Sequence, residues 1–178
     1  IWTQIPLLTF VKNTVKITLV VTLLQLFTSS FAAYAFAKMQ FKGKNVLFLG
    51  YIATIAVPWQ AYMVPQFMMM SSWHLNNTHL AIMCLQAFSA FGVFLMKQFY
   101  EGVPTELCEA ARIDGLSEYG IWWHIMLPLS LPALSTLTIF TFVNTWNDFL
   151  GPLIYLTKTE LKTIQIGLRM FITQYSAE

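Results

Sequence analysis

Charge is scarce in this sequence. Only 10% of its 178 residues are Asp, Glu, Lys or Arg, against ~25% in a typical soluble domain. So few charges cannot cover a surface of this size in water. A disordered chain, a nucleic-acid module with a basic stripe and an ordinary soluble enzyme are all excluded on that ground. Cysteine is nearly absent as well. The two present, Cys84 and Cys108, lie far apart and make no disulfide framework, and no Cys/His spacing resembles a zinc site. The net charge of +2 carries no information about partners. What the chain does have is apolar bulk: 57% hydrophobic residues, 16% aromatic, with fifteen Phe, nine Met and six Trp. That is the composition of a membrane protein.

A hydrocarbon core of ~30 Å needs ~20 apolar residues in a helix. Three stretches lack any Asp, Glu, Lys or Arg: Ile17–Ala37, Asn45–Met96 and Tyr119–Asn147. The second is long enough for two crossings and is interrupted by the polar turn from Ser71 to His79. Prolines 128 and 132 confine the last crossing to the region after about Leu129. The reading is therefore four spans, at about 15–37, 46–70, 80–99 and 129–151, in one transmembrane domain over 1–178. These runs do not alternate as barrel strands would, so the predicted class is all-α, a polytopic membrane helix bundle. Pro58 and Pro65 predict a kink or break near Val57–Pro65. His74, His79 and His124 are expected as solvated loop residues. The chain starts without an initiator Met and without the basic start and cleavage site of a signal peptide. It is read as a fragment.

Lysines 38, 42 and 44 follow the first span and no base follows the second, which puts 38–44 on the cytoplasmic side. Over the whole chain the vote ties at five bases against five: Lys97 and Arg112 join one side, and Lys12, Lys16, Lys158, Lys162 and Arg169 the other.

The segment 101–128 differs from everything around it. Five of the eight acids fall between Glu101 and Glu118, with Arg112 the one Lys or Arg among them. Pro104 suits a helix start, and Glu106 falls in a first turn where negative charge favours the dipole. Val103, Leu107, Ala110 and Ala111 are placed on one face at helical spacing. Gly115 sits where a left-handed residue ends a helix, and Ser117 can cap a second short helix. Tyr119, Trp122, Trp123 and Met126 form an apolar stripe on it. Two readings stand for this helix–turn–helix: an element that docks into a groove on another protein, or an interfacial loop with its tryptophans anchored at the membrane surface.

Within it, Glu109-Ala110-Ala111, then Gly115, Ile125 and Leu127-Pro128 at their spacing, resemble the EAA signature of permease subunits of ABC importers. Val103-Pro104-Thr105-Glu106-Leu107, Arg112-Ile113-Asp114 and Trp146 to Leu153 resemble the maltose-type, carbohydrate-uptake members, over about Val11 to Glu178. The resemblance implies a six-span family of which the first and last spans are missing here. It implies that 101–128 is a cytoplasmic coupling loop whose helix sits in a cleft of an ATP-hydrolysing subunit, with Leu107, Glu109, Ala110, Ala111, Asp114 and Gly115 as the coupling residues. It further implies an ATP-binding subunit dimer, a second homologous permease, an extracytoplasmic solute-binding protein and a location in the plasma membrane of a prokaryote, among lipid and with no nucleic acid. No Gly-x-x-x-x-Gly-Lys-Ser/Thr loop occurs, so the expectation is a non-enzymatic subunit without a cofactor of its own, ATP and Mg being held by the partner. A polyol or a glycerol phosphate is the alternative cargo to a sugar.

An ionisable group at membrane depth defaults to a functional reading. Asp148 is such a group, with Asn144 four residues before it and Asn147 beside it; Gln60 in the second span joins them as a lining candidate for the solute path. Asp148 is also read as a cap or loop partner at the outer end of its span. Gln25, Thr28, Ser29, Ser30 and Gln86 are read either as further lining or as helix–helix contacts.

Overall fold

The computed structural model describes residues 6–175, and among them the ordered elements are helices with no strand. α1 (Leu7–Lys38) is the longest, at 32 residues. It contains neither Gly nor Pro, and it ends on Lys38, where a cation complements the helix C-terminus. Left-handed Gly43 (φ 81°) turns the chain into α2 (Lys44–Ala53). A single 3-10 turn, Thr54–Ala56, leads to Val57 and Pro58. Val57 is extended (φ −86°, ψ 113°), the backbone that a residue before proline prefers. The helix breaks there, and α3 (Trp59–Ser72) follows. Pro65 lies inside α3, which continues through it. The break thus falls at Pro58 and not at Pro65.

Left-handed His74 and Asn77 shape the polar turn after α3. Thr78 caps α4 (His79–Gln86) by accepting from the Ala81 amide, and Ser89 caps α5 (Ala90–Glu101) by accepting from Gly92. Next come α6 (Thr105–Ile113), α7 (Glu118–Ile121), a π turn (Trp122–Met126) and α8 (Leu127–Leu129). A bend of 79° precedes α9 (Leu131–Trp146). α10 (Leu150–Tyr155) and α11 (Ile164–Tyr175) follow. Among the described residues, two stretches are long and apolar enough to cross a membrane, Leu7–Lys38 and His79–Glu101, and four if each bent pair counts as one crossing.

The chain divides into two compact units. One comprises Leu24–Pro58 and Phe88–Phe140. Its core gathers Tyr34, Met96, Tyr100, Cys108, Trp122, Met126 and Leu137. Gly92 lets α5 approach α1 so closely that a Cβ there would collide with Ser29, the close-contact device of membrane helices. Its α2 has no buried residue, and Val46, Leu47 and Leu49 stand 76%, 59% and 70% exposed. An apolar helix so bare needs lipid or another protein around it.

The other unit comprises the described parts of Ile1–Leu23, Trp59–Ala87 and Thr141–Glu178. Ile17, Val21, Met70, Ile82, Tyr155 and Leu156 form its core. Side-chain amides tie its loops: Asn13 donates to the carbonyls of Glu160 and Lys162, and Asn77 Oδ1 accepts from the Thr157 and Lys158 amides. His79 departs from the solvated role expected of it. It is buried, and its Nε2 lies 2.9 Å from the Leu161 carbonyl oxygen. As the first residue of α4 it is drawn into the helix's packed face, which a polar-turn reading could not anticipate. His124 is exposed, with Nδ1 at 3.1 Å from the Gly120 carbonyl.

Candidate functional site

α6 is built by short-range rules. Pro104 (φ −55°, ψ 134°) sits at its N-cap, Glu106 in its first turn and Arg112 in its last. Gly115 takes φ 86°. The Leu116 amide then reaches back to the Ala111 carbonyl and the Gly115 amide to Arg112, each at 3.0 Å, a Schellman-type closure that needs a left-handed residue. Ser117 accepts from the Gly120 amide at 3.2 Å and starts α7.

The helix has a sharply two-sided character. Cys108 (0% exposed) and Ala111 (5%) face the core. Glu106, Leu107, Glu109, Ala110, Ile113 and Asp114 are all exposed, Ile113 to 86%. The expected face joining Ala110 to Ala111 does not exist: adjacent residues lie about 100° apart on a helix, and the core takes only Ala111. The second predicted stripe divides likewise. Trp122 and Met126, four apart, are buried, while Tyr119 and Trp123 are 69% and 55% exposed.

Glu118 is the hub of the segment. Arg112 grips its carboxylate with both ends of the guanidinium, Nε to Oε1 at 2.7 Å and Nη2 to Oε2 at 3.2 Å. Tyr34 of α1 donates its hydroxyl to Oε2 at 2.5 Å. The Arg112 bonds first, and the Tyr34 bond second, hold the Glu118 carboxyl below the usual carboxylate range. Reciprocally, Glu118 raises the Arg112 guanidinium still further. Burial pushes the Cys108 thiol up, which keeps it a neutral packing group. On the other flank of α6, Lys38 Nζ donates to the Val103 carbonyl at 2.5 Å.

Behind the segment lies a buried polar knot. Trp122 Nε1 donates to Ser30 Oγ at 2.9 Å, Ser30 Oγ lies 2.7 Å from the Tyr100 hydroxyl, and that hydroxyl lies 3.4 Å from Ser130 Oγ. Phe27 and Phe31 meet Trp122 edge-on at 5.5 and 5.3 Å. Of the readings open for Ser30, helix–helix contact is the one with this geometry. The π turn that aims Trp122 was not foreseen. Its signal was Pro128, which cannot donate to the His124 carbonyl and whose ring crowds it. A wider turn, closed by the Leu127 amide on the Trp122 carbonyl, accommodates both.

Asn144, Asn147, Asp148 and Gln60 belong to the other unit. α9 ends at Trp146, so Asn144 and Asp148 do not continue one helical face as their spacing suggested. Asp148 instead accepts from Gln86 Nε2 at 2.7 Å and, one residue before the N-cap Phe149, from the first-turn Gly151 amide of α10 at 3.1 Å. Asn147 donates to the Val143 carbonyl at 2.9 Å and accepts from Gln165 Nε2 at 3.2 Å. Asn144 and Gln60 are exposed. Both cysteines are free thiols. Among the described residues, no group of three His, Cys, Asp or Glu could hold a metal ion.

The model of the family "binding-protein-dependent transport system inner membrane component" matches residues 25–177. An arabinooligosaccharides transport system permease protein, AraQ of Halalkalibacterium halodurans, is 40% identical over 94% of this chain and 60% of its own length. A lactose transport system permease protein, LacG of Rhizobium radiobacter, is 38% identical over 93% of this chain and 61% of its own. A solved bacterial ABC transporter involved in the import of the acidic polysaccharide alginate superposes with a TM-score of 0.87 at 28% identity, over 94% of this chain and 59% of that one. The chain thus spans about three fifths of the length of the relatives it matches.

Proposed function

This chain belongs to the family of binding-protein-dependent transport system inner membrane components, and from that premise we propose that it is the membrane-spanning permease subunit of an ATP-driven saccharide importer. The observation that carries the proposal is the exposed outer face of α6, with Leu107, Glu109, Ala110 and Asp114 presented beside left-handed Gly115. A short helix pinned to the core on one side and bare on the other is suited to seat in a groove of a soluble ATPase. Glu109 supplies charge and hydrogen bonding there, and Gly115 fixes the turn. Ile113, 86% exposed against 44% for Leu107, joins them as an apolar contact.

The spans in this reading are α1, the bent pair α2–α3, α4–α5 and α9, with 101–128 on the cytoplasmic side of a prokaryotic plasma membrane. Movement of α6 biases a two-state helix bundle between inward-open and outward-open forms. The partners are an ATPase dimer that binds ATP and Mg, a second permease, and a binding protein that delivers the solute. Relatives whose names specify arabinooligosaccharides and lactose support a saccharide cargo. Asp148, with Gln86, Asn144, Asn147 and Gln60 in its unit, is the proposed polar lining.

The test is uptake into proteoliposomes holding the complete transporter and internal ATP, with labelled arabino-oligosaccharide, lactose, a polyol and glycerol phosphate offered in turn. The proposal expects saccharide uptake that Glu109→Lys abolishes. Uptake confined to the polyol or the phosphate overturns the saccharide assignment, and uptake indifferent to Glu109→Lys overturns the role of α6.

A further inference from the structure

The last turns of α1 hold both flanks of α6. Tyr34 and Lys38 are four residues apart and so share a helix face. Lys38, 7% exposed, binds the Val103 carbonyl just before Pro104. Tyr34, 1% exposed, binds Glu118 just after the turn, and Glu118 is gripped in turn by Arg112 from the end of α6 itself. Each link involves an ionised partner, and such bonds are short and about twice as strong as neutral ones. The Lys38 side chain is thus committed to the carbonyl of the loop that leads into α6.

The covalent route out of α6 is full of joints by comparison. It runs through left-handed Gly115, a four-residue α7, a π turn, a three-residue α8 and a 79° bend before α9 begins. α1 has none of these, being an unbroken helix of 32 residues without Gly or Pro. It is the longest helix bonded to either flank of α6.

Resting on the reading of α6 as the ATPase-docking helix, we propose that Tyr34 and Lys38 are positioning residues that clamp α6 to α1, so that displacement of α6 passes directly into the first membrane helix. α6 and the end of α1 then move as one body.

The experiment uses the complete reconstituted transporter and the saccharide it imports from the panel above, and reads molecules imported per ATP hydrolysed. The combined variant Tyr34→Phe with Lys38→Met is expected to lower that ratio about five-fold or more, the scale of a lost coupling between sites. ATPase co-purification stays unchanged, and Lys38→Arg alone retains the ratio. An unchanged ratio in the double variant overturns the clamp. Should the double variant not assemble, Lys38→Cys with Val103→Cys, in a background of Cys84→Ala and Cys108→Ala, is bridged by a reducible bifunctional methanethiosulfonate. Import retained while bridged and falling on reduction supports one-body motion. Import blocked while bridged and restored on reduction shows that α6 and α1 separate, and overturns it. Glu109→Lys, run in parallel, reports on the underlying reading independently of either result.

Discussion

Ala110 and Ala111 are neighbours in α6 with opposite fates: Ala111 is 5% exposed, in the core with Cys108 and Trp122, while Ala110 faces out. A single motif thus serves two surfaces, one internal and one open. Substitutions at the two positions should fail differently. Ala111→Leu overpacks the core and should cost about 1–3 kcal/mol of stability, read as a lower melting temperature in detergent. Ala110→Leu should melt as the unsubstituted protein does and instead co-purify with less ATPase.

Gly115 has its own cost of replacement. Its φ of 86° is a region that residues with a Cβ enter at about 1–2 kcal/mol. A Cβ there would meet no neighbouring atom. Gly115→Ala should therefore lose about that much stability and no more, whereas Gly115→Pro, whose φ is locked near −65°, should abolish coupled uptake.

The Glu118 hub predicts a pH dependence of definite sign. Its folded carboxyl titrates below the ordinary range because Arg112 and Tyr34 bind the anion. Its contribution is therefore full above the unfolded carboxyl value of about 4.3, and it fades as pH falls through the lower folded value. Glu118→Gln should melt below the unsubstituted protein at pH 7, by an equal margin at pH 6, and with a shrinking margin as the pH is lowered past 4. A margin that does not shrink would assign the difference to something other than the charge.

Asp148 permits a separation of roles. The carboxylate accepts from the Gly151 amide through Oδ1 and from Gln86 Nε2 through Oδ2; an asparagine keeps the first bond with its oxygen and the second by donating its NH2 to Gln86 Oε1 once the Gln86 amide turns over. If charge in the solute path matters, Asp148→Asn should keep the melting temperature and lose uptake. Uptake retained in Asp148→Asn but lost together with stability in Asp148→Ala would leave these two bonds as its whole role.

Much of α6 was legible because its signals are local. Pro104, Gly115 and Ser117 act on the backbone within four or five residues; Gly115 and Ser117 sit where their chemistry says, and Pro104 stands one residue earlier than the first helical position expected of it, at the N-cap. Which side of α6 faces inward was not legible, since that depends on α1 and α5, which are distant in sequence. His79 was misjudged for the same reason: its partner, the Leu161 carbonyl, is 82 residues away. Prolines gave position without outcome. Pro58 breaks its helix, Pro65 is absorbed and Pro128 widens the preceding turn. The clamp by Tyr34 and Lys38 was invisible because both residues lie in or beside a span that composition marks only as apolar.

The π turn at Trp122–Met126 has a consequence for inheritance. It houses one residue more than an α-helical turn would, and each residue of a helix advances its direction by about 100°. The surplus residue therefore acts as a phase setting between Glu118 on one side and Leu127 on the other. Point substitutions here leave the phase intact, but loss of any single residue would swing Glu118 away from Tyr34 by more than a quarter turn. This stretch should tolerate changes of letter far better than changes of length.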